Sequence, residues 1–291
     1  MRQTFICIGA QKAGTTTLAD ILSFHADICI PPIKETKYFL FDADYAKGKA
    51  FYDAYFTNYS GQQAVGEVDP DYLLFPFTAQ RIKETLGEEI KILVVLRNPA
   101  DRAYSHYLMT KRKGLEPFGF EEALAAEAGR KQDIKTRKIF AYVERGYYGK
   151  QLETFLSIFK RENFLFLEFE KDFMQNKAAT IQRIEAFLGV AHRELPLDLH
   201  SNEAGEAKHA AFRDMVRKPN FVKRMLKAIL PVASFRKYIR KFFIRKNMQK
   251  ASVPKLDPGT RQAVISRYFL DDIRLAEKQT GLNLSHWYTE V

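Results

Sequence analysis

Cysteine and tryptophan are scarce: 291 residues include two cysteines, Cys7 and Cys29, and one tryptophan. Both cysteines sit in apolar, strand-like runs, so they read as reduced, buried thiols, which excludes a disulfide framework and makes a cytoplasmic setting the expectation. Cys/His spacing of the metal-binding kind is missing, and the expected site is metal-independent. Long apolar runs are missing too. No uninterrupted stretch reaches the length that spans a bilayer, and the run after Met1 is shorter than a signal-peptide core, with Lys12 close behind. Acidic charge is in deficit, 35 Asp plus Glu against 46 Lys plus Arg, for a formal +11. That balance favours an anionic ligand, polymer or membrane surface, solubility alone being the other reading.

What is present suffices for a large core, since 46% of the chain is hydrophobic. Buried strands are predicted over Phe5 to Ile8, Ile28 to Pro31, Ala64 to Val68, Ile90 to Leu96 and Phe164 to Phe169. Helices are predicted over Thr15 to Phe24, Phe77 to Leu86, Ala100 to Thr110, Phe120 to Ala128, Tyr148 to Phe159 and Arg261 to Thr280. An aromatic-rich stretch, Tyr38 to Tyr59, carries no clear period. Alternation of strand and helix implies a three-layer α/β fold with a central parallel sheet of four or five strands. One domain over 1–291 is expected: an α/β core over 1–204, a basic helical segment over 205–250, and a C-terminal helix and tail over 251–291.

Between the first strand and the first helix lies Gly9-Ala-Gln-Lys12-Ala-Gly14-Thr15-Thr16, with the two glycines of a phosphate-binding loop at the right spacing. Backbone N–H groups of such a turn and of the helix start converge on an anion, and threonine hydroxyls add donors. In nucleotide triphosphatases a lysine follows the second glycine; here Thr15 stands there and the lysine is Lys12. That argues against ATP or GTP hydrolysis. A lysine inside the turn lies near a terminal group on a 5′-phosphate, where it neutralises charge on a leaving oxygen.

Gln11-Lys-Ala-Gly-Thr-Thr-Thr-Leu18 resembles the 5′-phosphosulfate loop of sulfotransferases that use 3′-phosphoadenosine-5′-phosphosulfate (PAPS). Leu96-Arg97-Asn-Pro-Ala-Asp-Arg102-Ala-Tyr-Ser105 resembles the family's second motif, a strand end carrying Arg followed by a helical Ser. The glycan, heparan-type and bacterial branches are the closest in pattern, and the likeness extends to Gly146-Tyr147-Tyr148 and Ser285-His-Trp287. It implies a phosphosulfate cradle of Gln11, Lys12, Ala13, Gly14, Thr15, Thr16 and Thr17. It also implies Arg97 and Ser105 on the 3′-phosphate, Tyr148 near the nucleotide unless it is core, and adenosine 3′,5′-bisphosphate as product. Lys250 is the counterpart of a basic loop closing over the nucleotide, although a Lys-Gly-Arg signature is missing.

Pro31-Pro-Ile-Lys-Glu35-Thr-Lys37 resembles the segment in which heparan-type enzymes place a catalytic glutamate, so Glu35 is the candidate general base. The small-molecule branch uses a histidine after the strand ending near Val68, where Glu67-Val-Asp-Pro-Asp71 offers none. Two departures touch the acceptor side: Val68 stands where a lysine is usual, and Lys37 replaces a histidine. Of the six histidines, His106 beside Ser105 is the one to test. The expected acceptor is a hydroxyl or amine of a carbohydrate or glycolipid.

Lys218, Arg224, Arg236, Lys237 and Arg240 crowd a stretch that also carries Phe221, Met225 and Phe242. Residues 212–250 therefore read as basic amphipathic helices, either covering the core or contacting an anionic membrane or acidic glycan, which allows a peripheral membrane location. Nucleic acid is not expected, because no recognised module is visible. Two other classes compete: a small-molecule or nucleotide kinase, which needs a lysine at position 15 and a magnesium-binding carboxylate, and a non-catalytic anion or membrane binder.

Overall fold

The computed structural model describes residues 2–198, 205–207, 248–250 and 254–289. They belong to two compact units, Met1–Ser201 with Leu256–Val291, and Asn202–Lys255. In the first unit, β1 (Phe5–Gly9), β2 (Ile28–Cys29), β3 (Ala64–Val68), β4 (Lys91–Leu96) and β5 (Phe164–Glu168) make one sheet in the order β2-β3-β1-β4-β5. Every neighbouring pair is parallel. Covered on both faces, these strands are apolar along nearly their whole length rather than alternating. Close strand approach has a local requirement: a Cβ at Gly66 would stand 2.1 Å from the carbonyl oxygen of Phe5.

This order sets the site. After β1 the chain moves to one side for β2 and β3, then crosses to the other for β4 and β5. The crevice beyond the C-terminal end of β1 is thus a topological switch point, where doubly wound sheets bind ligands. The main helices are α1 (Thr15–Leu22), which follows β1, α4 (Phe77–Leu86), α5 (Pro99–Arg112), which follows β4, α8 (Tyr148–Ile158) and α9 (Lys177–Leu188). Asn98 starts α5 by accepting from the amides of Ala100 and Asp101, with Pro99 in the first turn.

Four differences from the sequence expectation have local causes. The aromatic stretch holds two short helices, α2 (Asp42–Tyr45) and α3 (Gly48–Asp53), which bring Tyr52 into stacking contact with Tyr38 at 4.8 Å. Ring packing, not periodicity, fixes them. Beyond α6 (Phe120–Ala125), Asp133 caps an unforeseen α7 (Ile134–Phe140) in a reciprocal box with Thr136. The final helix is continuous from Pro258 to Thr280, but between α10 (Pro258–Val264) and α11 (Leu270–Thr280) it widens over Ile265–Phe269, where Ile265 and Phe269 are buried. In the second unit, β6 (Gly205–Ala207) and β7 (Met248–Lys250) pair antiparallel. Both ends of the segment expected to be helical are therefore strands, because they pair with each other; the rest of 212–250 lies outside the described residues.

The C-terminal part of the first unit holds α8 in place. Asp272 on α11 accepts from the amides of Gly149 (2.9 Å) and Lys150 (3.0 Å), capping the start of α8. Past α11, a last short helix, α12 (His286–Thr289), buries Trp287, whose indole N–H donates to Glu168 at 3.2 Å. Asp272→Ala removes a helix-capping carboxylate and is expected to cost about 1–2 kcal/mol, read by denaturant unfolding. No helix among the described residues is long and apolar enough to cross a membrane.

Candidate active site

The loop after β1 takes the shape its sequence suggested. Lys12 and Gly14 are both left-handed, with φ of 72° and 77°. At Gly14 any side chain is excluded twice, by that φ and by Phe169, whose ring would be 2.8 Å from an added Cβ. Helix α1 begins directly after Gly14 with no side-chain cap on its first amides. The N–H groups of Thr15, Thr16 and Thr17 are thus left for an anion. Thr15 is buried, Thr16 and Thr17 are half-buried, Ala13 is core, and the side-chain oxygen of Gln11 is buried without a partner.

Arg97 reaches this loop from the end of β4. Its Nη1 donates to the carbonyl oxygen of Lys12 at 2.9 Å, and its guanidinium lies 4.9 Å from the Phe169 ring centroid. The two motifs therefore meet at one place. Tyr148 is fully buried behind Arg97 and donates its hydroxyl to the Arg97 carbonyl at 2.8 Å, acting as a support. Ser105 is half-buried on the second turn of α5. Burial, then the positive charges of Arg112, Arg97, Lys113 and Arg102, push the Lys12 ammonium down to about 8. A site that disfavours its own cation in this way favours an incoming anion.

A dense ionic cluster joins the segments that follow β2 and β3. Glu35 and Lys37 are both left-handed, with φ of 64° and 60°. Lys37 Nζ contacts Asp69 at 2.7 Å, Asp71 at 2.6 Å and Glu35 at 3.0 Å, while Lys34 holds the other Glu35 oxygen at 2.8 Å. Asp71 is further bound by Arg145 (2.6 Å) and Lys138 (2.9 Å). Burial opposes ionisation of Glu35, but Lys37 and Lys34 outweigh it and hold the carboxyl below its usual range. Glu35, Asp69 and Asp71 lie within 4.8 Å of one another. The Lys37 ammonium already bridges all three, which suits an internal cation better than a metal.

Glu67 is enclosed, accepting from Tyr52 and Tyr72 at 3.0 Å and from the Thr36 hydroxyl at 2.8 Å. Burial raises its pKa. It braces the Glu35 segment from behind. His106, singled out in the sequence, is fully buried; burial and the nearby Arg145, Arg102 and Lys12 push its pKa well below the ordinary value. Its ring packs edge-on to Tyr142 at 4.9 Å. An inaccessible imidazole cannot meet an acceptor, which removes His106 as a base candidate. Lys250 lies on β7 of the second unit.

A sulfotransferase domain model matches residues 2–257. The chain belongs to the sulfotransferase domain family. A sulfotransferase from Alicyclobacillus acidocaldarius superposes with a TM-score of 0.69 at 26% identity, covering 99% of each chain. Heparan sulfate glucosamine 3-O-sulfotransferase 6 of Homo sapiens is 30% identical over 187 residues, 64% of this chain and 52% of that protein. The membrane-associated sulfotransferase kil1 of Dictyostelium discoideum is 35% identical over 133 residues, 43% of this chain and 28% of that protein. The chain spans about half the length of the heparan-type relatives it matches.

Within this sulfotransferase domain, pattern reading overlooked Phe169 and Glu170, which directly follow β5. Phe169 lies under Arg97, and Glu170 Oε1 stands 3.9 Å from Arg97 Nε and accepts from the Asn98 amide at 3.3 Å. Burial raises the Glu170 pKa to about 7, against the opposing pull of Arg97. Their signal was positional: residues at the carboxyl ends of parallel strands line the crevice.

Proposed function

We propose that this domain transfers a sulfuryl group from PAPS to a hydroxyl or amine of a carbohydrate or glycolipid acceptor, releasing adenosine 3′,5′-bisphosphate. The observation that carries the reading is the Arg97–Lys12 hydrogen bond of 2.9 Å, which joins the two donor motifs. In the proposed mechanism the loop amides and Thr15, Thr16 and Thr17 hold the phosphosulfate, while Arg97 and Ser105 hold the 3′-phosphate. The acceptor oxygen or nitrogen bonds to sulfur as the bond from sulfur to the bridging phosphate oxygen breaks. Lys12 stabilises charge on that oxygen, and Glu35 takes the acceptor proton. The identity to a heparan-type enzyme favours a carbohydrate acceptor. A kinase reading has less support, because Thr15 occupies the position its lysine would need. A cytoplasmic setting belongs to the same proposal, on the strength of the two unpaired cysteines.

The test is incubation with radiolabelled PAPS and a panel of heparan fragments, neutral oligosaccharides and glycolipids. Label on a carbohydrate-bearing acceptor supports the reading; label on none of them, with simple phenols and alcohols sulfated instead, overturns the acceptor class.

The depressed Lys12 sets a pH dependence. A bound anion needs the protonated ammonium, whose pKa lies near 8 in the free protein. Bisphosphate affinity should therefore be flat below that value and fall above it, by up to about tenfold per pH unit. Lys12→Arg, charged throughout, should flatten the profile in calorimetric titrations.

A further inference from the structure

Arg102 stands apart among the buried charges. It is fully buried on α5, and among the described residues its one hydrogen bond runs from Nη2 to the Tyr142 carbonyl oxygen, leaving Nε and Nη1 without partners there. No carboxylate among the described residues pairs with it. Arg145, by contrast, is neutralised by Asp71 at 2.6 Å. The groups whose charges act on Arg102 are Tyr148, Arg145, Glu127 and Arg97, and Arg102 in turn acts on Lys12. Of these Glu127 alone is a carboxylate, and it is committed elsewhere: it accepts from the amides of Val143 and Glu144 and pairs with Lys131 at 3.1 Å. His106, one turn further along α5, is held neutral and supplies no counter-charge. Lys12, Arg97 and Arg102 thus form a positive group whose nearby carboxylate, Glu170, stands 3.9 Å from Arg97 alone and is itself pushed by burial towards its neutral form, an arrangement that is costly unless an anion joins it.

We infer that Arg102 is a positioning residue of the donor site, a buried charge whose counter-ion is the phosphate of the bound nucleotide rather than any group of the protein. This rests on the donor reading above. Arg102 acts through its field on the phosphates and on Lys12 and Arg97, without needing to touch the ligand. The consequence is a sign that an ordinary structural arginine does not give: removal of the charge weakens ligand binding while sparing the ligand-free fold.

The experiment compares wild type with Arg102→Met, Arg102→Lys and, as a structural reference, Arg145→Met. Thermal unfolding is followed with and without adenosine 3′,5′-bisphosphate, together with calorimetric titration of the same ligand. R102M is expected to melt within a few degrees of wild type, or above it, when free. It should bind the bisphosphate about tenfold or more weakly, with a smaller ligand-induced rise in melting temperature. R102K should recover most of the affinity. R145M should lose stability, because it removes the most deeply buried of the three cations that hold the Asp71 carboxylate, leaving Lys37 and Lys138. The inference is overturned if R102M is unfolded or as destabilised as R145M, if it binds with unchanged affinity, or if R102K binds as weakly as R102M. Failure of the wild type to bind the bisphosphate is a separate outcome, which defeats the donor reading itself.

Discussion

Lys12→Ala is expected to reduce sulfuryl transfer by about 10²–10³-fold, the usual cost of deleting one preorganised charge-stabilising group. The argument starts from the loop geometry. Lys12 is left-handed at φ 72°, its carbonyl is fixed by Arg97 at 2.9 Å, and its ammonium sits in a region that is already positive. Such a cation gains most when negative charge develops on the bridging oxygen, so the loss should fall on kcat beyond the loss of donor affinity that removing the ammonium brings. Removing the side chain leaves the backbone amides of the cradle in place. Single-turnover kinetics with PAPS reads the effect. A variant that keeps its kcat would mark Lys12 as a binding residue alone and would restore the non-catalytic anion-binder reading.

Glu35→Gln is expected to lower kcat by about 10²–10⁴-fold, the range for a general base, with bisphosphate affinity unchanged within a few-fold. Its carboxyl is held below the usual range by Lys37 and Lys34 against burial, so it is ionised throughout the neutral region. Such a group is a weak base in isolation. In the proposed mechanism it suffices, because the acceptor atom becomes more acidic as its bond to sulfur forms and the proton leaves late. Loss of kcat should therefore appear only as pH falls towards the acid range. Lys37→Met, which removes the leading cation, should raise the Glu35 pKa and move that acid limb to higher pH. A pH–rate profile checks the direction; an unshifted limb would separate Glu35 from proton transfer.

The parallel sheet was legible because β1, β3 and β4 are near-continuous apolar runs bounded by Gly, Asp-Pro and Asn-Pro punctuation. The turn between β1 and α1 was legible because glycine spacing and a strand–helix context leave few alternatives. The ionic cluster around Lys37 was not. Lys37, Asp69, Asp71, Lys138 and Arg145 come from three separated segments, and their network exists only once β3 places Asp69 against the loop after β2. Likewise the short helices over 42–53 are held by ring packing, and the widened turn within the last helix accompanies the burial of Ile265 and Phe269, neither of which leaves a period in the sequence. The histidine beside Ser105 was singled out by its position alone, yet helical geometry turns it into the core.

Calorimetric titration of the wild-type chain with adenosine 3′,5′-bisphosphate, with ATP as the control ligand and Arg97→Ala as the control protein, tests the donor site most directly. The account predicts tight binding of the bisphosphate, weak binding of ATP and a marked loss of bisphosphate affinity in R97A. Preferential binding of ATP, or no binding of the bisphosphate, would contradict it.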